Sequence, residues 1–111
     1  MGNTLINLYT GQPGIANTLL YTALANTRIK ILDAVATNDT TVAKYISIHR
    51  VPAGDTAGDA NIIVNQKSVA SRETVPLWQL VGQVLEPADF LSAIAEAATQ
   101  ITLHISGIAV K

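Results

Sequence analysis

Apolar and polar residues alternate with a period of two along most of this chain, the pattern of strands that bury one face. Asn17 to Ala23 (NTLLYTA) and Thr27 to Ala36 (TRIKILDAVA) are two such stretches, joined by the short turn Leu24-Ala25-Asn26. In the second, Ile29, Ile31 and Val35 share a face, with Arg28, Lys30 and Leu32 opposite. Thr37 to Thr40 (TNDT) is a turn cluster. The next stretch, TVAKYISIHRV, puts Val42, Ile46 and Ile48 on one face, interrupted by Lys44, and Ala43, Tyr45, Ser47 and His49 on the other. β-Branched and aromatic residues recur, as half-buried strands require.

The alternation halts inside HRVPAGDTAGDANIIV, His49 to Val64. It stops at Pro52, passes two Gly-Asp pairs four residues apart, and resumes at Ile62-Ile63-Val64. Beyond lie NIIVNQK, SVASRETVPL and WQLVGQVL (Trp78 to Leu85), the last alternating Trp78, Leu80, Gly82 and Val84 with Gln79, Val81, Gln83 and Leu85. At the end, QITLHISGIAVK sets Ile101, Leu103 and Ile105 against Thr102, His104 and Ser106. Seven or eight short strands with turn signals between them predict an all-β fold, an antiparallel sandwich or barrel. One segment disagrees. Pro87 to Ile101 (PADFLSAIAEAATQI) has Pro at a plausible first helical position and Phe90, Leu91, Ile94, Ala97, Ala98 and Ile101 at helical spacing. A strand from Asp89 to Ala95 with a turn at Glu96 to Thr99 competes with that helix, and these residues alone leave the two open.

Composition narrows the function classes. The chain has 111 residues, one domain's worth; 49% are hydrophobic and only 14% charged, well below the usual quarter. Such a surface suits a protein packed against copies of itself or a partner. With a net charge of -1 and seven Lys and Arg spread along the chain, neither nucleic acid nor an acidic membrane surface is an expected partner. Absence of cysteine removes disulfides, thiolate catalysis and Cys-ligated zinc. The N-terminus lacks a basic start and an apolar core, so no secretory leader is expected. Ile6 stands where a myristoylation start needs Ser or Thr. Asn38-Asp39-Thr40 fits a glycosylation pattern but reads as a turn.

Each candidate for chemistry has a plainer structural explanation. A calcium loop needs several converging oxygens, whereas Asp55 and Asp59 stand alone among Ala, Gly and Thr. A phosphate loop needs Lys-Ser/Thr after its glycines, and none follows. Gly and Asp serve wide turns, which is the expectation here. His49 and His104 are expected to be solvent-facing on separate strands, without a third zinc ligand. Glu86 and Asp89 fit a tight turn better than an acid-base pair, and Trp78 fits core or interface better than stacking on a sugar or base. No catalytic, cofactor-binding or metal-ligating residue is therefore expected.

Four stretches, LLYTALANTRIKILDAVATNDTT, YISIHRVPAGDTAGDANIIV, VGQVLEPADFLSAIA and ITLHISGIAV, resemble small β-sandwich virion proteins of tailed bacteriophages. The shared signals are a Val-Pro turn leading into a Gly-Asp loop, a Val-Leu-x-x-x-Asp segment before a strand, and a terminal strand containing Ser-Gly. The resemblance runs from about Leu19 to the end, and its motifs are turn chemistry. It departs at Ala88, where relatives often have Gly. It implies a jelly-roll-like sandwich over 15–111, favours strand for Asp89 to Ala95, and leaves 1–14 as an N-terminal arm or edge segment. The expected function is a non-enzymatic virion structural protein, a capsid decoration or cement protein on the assembled head. It would be made in the host bacterial cytoplasm and contact the major capsid protein or another virion protein. A homo-oligomer is expected, with a trimer implied by the resemblance alone. The alternatives are a tail, baseplate or fibre component, or a glycan-binding module using Trp78, Tyr45 and the Gly-Asp loop. A small cupin-like enzyme falls short on histidines.

Overall fold

In the computed structural model, which describes residues 3–110, the alternating stretches form nine strands and the described residues contain no α-helix. These are β1 (Asn3–Gly11), β2 (Thr18–Thr22), β3 (Arg28–Asn38), β4 (Lys44–Val51), β5 (Ile62–Val69), β6 (Thr74–Pro76), β7 (Val84–Leu85), β8 (Phe90–Ala95) and β9 (Ile101–Val110). All pairings are antiparallel. The first sheet runs β1-β9-β3, with β6 and β7 both paired to the far side of β3, and the second runs β2-β8-β4-β5. Their inner faces meet in one core. Ile29, Ile31, Leu103 and Ile105 of the first sheet share it with Ile46, Ile48, Val64, Leu91 and Ala93 of the second.

Pro87 to Ile101 resolves as a strand and a turn. β8 lies between β2 and β4, where Leu91, Ser92 and Ala93 are all buried. Pairing on both sides satisfies its backbone and outweighs the alanine-rich local preference for helix.

At the N-terminus, which the sequence leaves as an arm or an edge segment, Asn3–Gly11 forms an edge strand. β1 pairs with β9 of its own chain from Asn3↔Val110 to Gly11↔Leu103. Even the Gly-Gln-Pro-Gly hinge is tied down. Gln12 Nε2 donates to the Thr99 carbonyl and the Thr102 hydroxyl, both at 3.2 Å, and Ala95 N–H donates to the Gly14 carbonyl at 2.9 Å. The alternation of TLINLYT thus serves an edge strand. Met1 and Gly2 lie outside the described residues.

Two further expectations fail at one place. Trp78 to Leu85 was read as a strand, yet only Val84–Leu85 pairs; Leu77 to Gln83 form a loop along β3. Leu77 and Leu80 are fully buried, while Trp78 is 72% exposed. The loop lies beside a β-bulge at Leu32, where the pairing of β3 with β9 shifts between Ile31 and Asp33. There the loop takes over the strand's backbone groups: Gly82 N–H donates to the Ile31 carbonyl, and Ile31 N–H to the Gln83 carbonyl. The same bulge reverses the phase of β3, so Ala34 and Ala36 point inward after Ile31 and Val35 turns outward. Val42, expected inside, precedes β4 and is exposed.

Both neighbours of β9 bulge beside Gly107. Register shifts between Asn7 and Tyr9 on β1, and between Ile31 and Asp33 on β3, where Ile6 and Ile31 both oppose Gly107. A Cβ at Gly107 would lie 2.5 Å from the Lys30 carbonyl oxygen and 3.2 Å from Leu8 Cδ1. Gly107→Ala is therefore expected to destabilise by about 1–3 kcal/mol, because backbone must move. Gly58→Ala, with nothing within 4 Å of the added carbon, should leave urea unfolding within about 0.5 kcal/mol of wild type.

Candidate functional site

The Gly-Asp loop is two consecutive turns. Asp55 N–H donates to the Pro52 carbonyl at 3.0 Å, and Gly54 between them has φ +85°, as the third residue of a type II turn requires. Asn61 closes the second turn. Its N–H reaches the Gly58 carbonyl, its Oδ1 accepts from Gly58 N–H at 3.1 Å, and its Nδ2 donates to the Thr56 carbonyl at 3.0 Å. Glycine and amide are spent on backbone, and Asp55 and Asp59 project from an exposed loop. Among the described residues no three His, Asp or Glu side chains come together as metal ligands.

What anchors that loop is Asp89, which is 7% exposed. One carboxylate oxygen accepts from Ala53 N–H at 2.9 Å and the other from Glu86 N–H at 3.0 Å. Its own backbone N–H donates to the Glu86 carbonyl, and its carbonyl accepts from Ala23 N–H, both at 2.9 Å. Arg50 stands 3.9 Å from the carboxylate and donates to the Val84 carbonyl of the opposite sheet. Asp89 thus joins three chain reversals. Within the tight turn Ala88 has φ +71°, a left-handed conformation in which a Cβ is strained. Glu86 pairs instead with Arg28, whose Nε lies 2.7 Å from its Oε1. That hydrogen bond, and then the carboxylate's charge, raise the Arg28 pKa above its ordinary value. Both residues are exposed, so the pair adds little stability.

The two histidines are kept apart. His104 is exposed on the outer face of the first sheet; His49 lies on the second sheet, opposite Ser92, with the core between them. Contrary to expectation, His49 does not face solvent. It is 6% exposed on β4, which lies between β8 and β5, and its Nδ1 is buried without a hydrogen-bond partner. Asn38 is also wholly buried. Its amide donates to the Val42 and Val69 carbonyls at 2.9 Å, and its Oδ1 accepts from Thr40 N–H and hydroxyl. This side chain therefore holds the TNDT turn together.

The residues suggested as glycan contacts do not converge. Tyr45 begins β4, whereas the Gly-Asp loop follows its other end, about 20 Å away for an eight-residue strand. Trp78 sits on a loop of the other sheet. What the Gly-Asp loop does border is an open depression lined by Asn17, Leu19, Asp55, Thr56, Phe90 and Ser92. The sequence carries no direct sign of this concavity, which requires β2 and β8 to be neighbours. Nor did it distinguish Asp89 from other acids, except through the Val-Leu-x-x-x-Asp spacing.

No family model matches the chain, and neither a curated protein nor a solved structure matches it.

The role of Asp89 is open to measurement. Asp89→Ala strands two backbone N–H groups and is expected to cost about 2–4 kcal/mol in urea unfolding. Asp55→Ala and Asp59→Ala should each stay within about 0.5 kcal/mol. Ala88→Gly should gain up to about 1 kcal/mol by relieving the left-handed strain.

Proposed function

We propose that this protein is a non-enzymatic structural component of a bacteriophage virion, a decoration or cement protein that binds and stabilises the assembled head. The observation that carries the reading is the contrast between interior and surface. The core is filled by fully buried Ile and Leu, yet Leu5, Leu32, Val84, Val110 and Trp78 remain exposed on or beside the first sheet. Only 14% of the residues are charged, and among them Lys30 lies opposite Val84 and Arg28 opposite Val110. That is the composition of contact surfaces, whose centres are depleted in charge and enriched in aromatics.

The strand order supports the fold half of the proposal. β1-β9-β3-β6 facing β2-β8-β4-β5 is the order expected of two interlocked Greek keys, a jelly roll. Jelly rolls serve viral capsid and lectin domains and cupins. A cupin-like metal centre is disfavoured by two histidines on opposite sides of the core. Binding would act by mass action: surface buried only in the assembled shell favours that shell over free subunits. A homo-oligomer presenting several copies of one contact adds multivalency. The virion is then where the protein resides after synthesis in the host cytoplasm.

A tail, baseplate or fibre position draws on the same surface. The glycan-binding reading is favoured by one observation, the depression in which Asp55, Asn17 and Ser92 lie beside Leu19 and Phe90. Fractionation of assembled particles separates the first two readings. The protein is expected to track with heads, including empty heads, and purified heads bearing it should melt at a higher temperature. Recovery with tails alone would overturn the decoration role.

A further inference from the structure

We propose that the edge strand β1 is the contact through which two copies of this chain pair, joining their first sheets into one continuous sheet across a two-fold axis. This deepens the oligomeric part of the proposed function and rests on it.

Natural sheets protect their edges with short strands, charges, prolines or bulges, because unpaired backbone groups template pairing with another chain. Three of the four edges here are so protected. β2 has five residues and a register shift. β5 has two register shifts, Gln66 at φ +49° and Lys67. On the far side of β3 the edge is split into β6 and β7, of three and two residues. β1 is different: it has nine residues without a charge or a proline, and its bulge falls only after Asn7.

Within the regular part of β1, Asn3-Thr4-Leu5-Ile6-Asn7, two asparagines flank Leu5 at equal distance. Asn3, Leu5 and Asn7 share the outward face with their β9 partners Val110, Ile108 and Ser106. An antiparallel copy centred on Leu5 sets Leu5 opposite Leu5, Asn3 opposite Asn7, and Thr4 opposite Ile6. Leu5 meets Leu5, the two amides meet, Thr4 and Ile6 are both β-branched, and no like charges meet. Asn7 Oδ1 already accepts from the Thr10 hydroxyl at 3.2 Å, so its amide nitrogen is the group to donate to Asn3 of the copy. Leu5 is 75% exposed in the single chain, apolar area that the pairing would remove from water. The occupant is therefore a second copy of this strand. Because both copies use the same edge, the contact closes on itself and does not propagate into a fibre. The bulge after Asn7 limits the paired length, so the dimer should dissociate on dilution.

Sedimentation velocity on the full chain across a concentration series tests this. Wild type is expected to dimerise reversibly. Leu5→Lys, which places two ammonium groups opposite each other, should raise the dissociation constant at least about tenfold. Leu24→Lys, at an equally exposed position on the β2–β3 turn, should not. Directly opposed residues lie about 4.5–5.5 Å apart at Cα, within disulfide reach, and the chain has no cysteine of its own. Leu5→Cys should therefore form a covalent dimer on mild oxidation, and Leu24→Cys should not. A dimer or trimer undisturbed by Leu5→Lys, or no cross-link at Leu5→Cys, would overturn the assignment to β1 while leaving an oligomer. A monomer at every concentration would overturn the oligomer as well; association with heads, measured separately, decides the decoration role.

Discussion

The buried carboxylate of Asp89 holds together the end of the sandwich at which the β2–β3, β4–β5 and β7–β8 connections meet. Sandwich ends are hard to close, because each reversal releases backbone groups that no ladder satisfies. Here one side chain accepts from Ala53 and Glu86 while its own backbone bonds to Glu86 and Ala23. Arg50, reaching from the second sheet to the Val84 carbonyl of the first, completes the closure across the core. A buried acid is tolerated in this place because both of its oxygens have donors. Asn38 plays the corresponding part for the TNDT turn, with every side-chain atom that can bond backbone doing so.

Between these ends the middle of the first sheet obeys a different constraint, the close approach at Gly107. The Lys30 carbonyl and Leu8 occupy the space a side chain would take. Bulges on both adjoining strands accompany this approach, and beside the bulge on β3 Leu77 to Gln83 leave as a loop. The edge of that sheet is thereby broken into two short strands, and Trp78 stands in solvent. One crowded position thus connects core packing to the character of a surface edge.

Much of the fold was legible in period-two alternation, since burying one face of a strand imposes it directly: Ile46 and Ile48, or Ile101, Leu103 and Ile105, read correctly. The errors have a common physical source. Val35 faces outward because a bulge changes strand phase without any local mark in the residues, and the alternation of Trp78 to Gln83 belongs to a loop. His49 was misplaced because alternation reports which face a residue occupies, not whether neighbouring strands cover that face. The N-terminal segment reads as either an arm or an edge segment because the partner of β1, β9, lies almost the whole chain away. Nothing within Met1 to Gly14 encodes that partner. Among candidate sites, the Gly-Asp loop reads as a turn from its glycines, yet Asn61 and not Asp55 or Asp59 bonds its backbone, and the burial of Asp89 required three distant segments to meet.

The unequal protection of the four edges is harder to derive from folding alone. An isolated domain of this size gains nothing from leaving nine uncharged residues on an open edge, since a single lysine would lessen the hazard. The other three edges are blunted by bulges, by a lysine or by shortness, so the fold is able to accommodate such devices. The outward face beside β1 continues the theme through Ile108, Leu32 and Val110, with Lys30 and Asp33 as the nearby charges. An uncharged edge strand beside exposed apolar side chains offers a shared contact backbone for directionality and apolar area for affinity, with Arg28, Lys30 and Asp33 of β3 bounding it. The cost of leaving that surface open is offset only when something covers it.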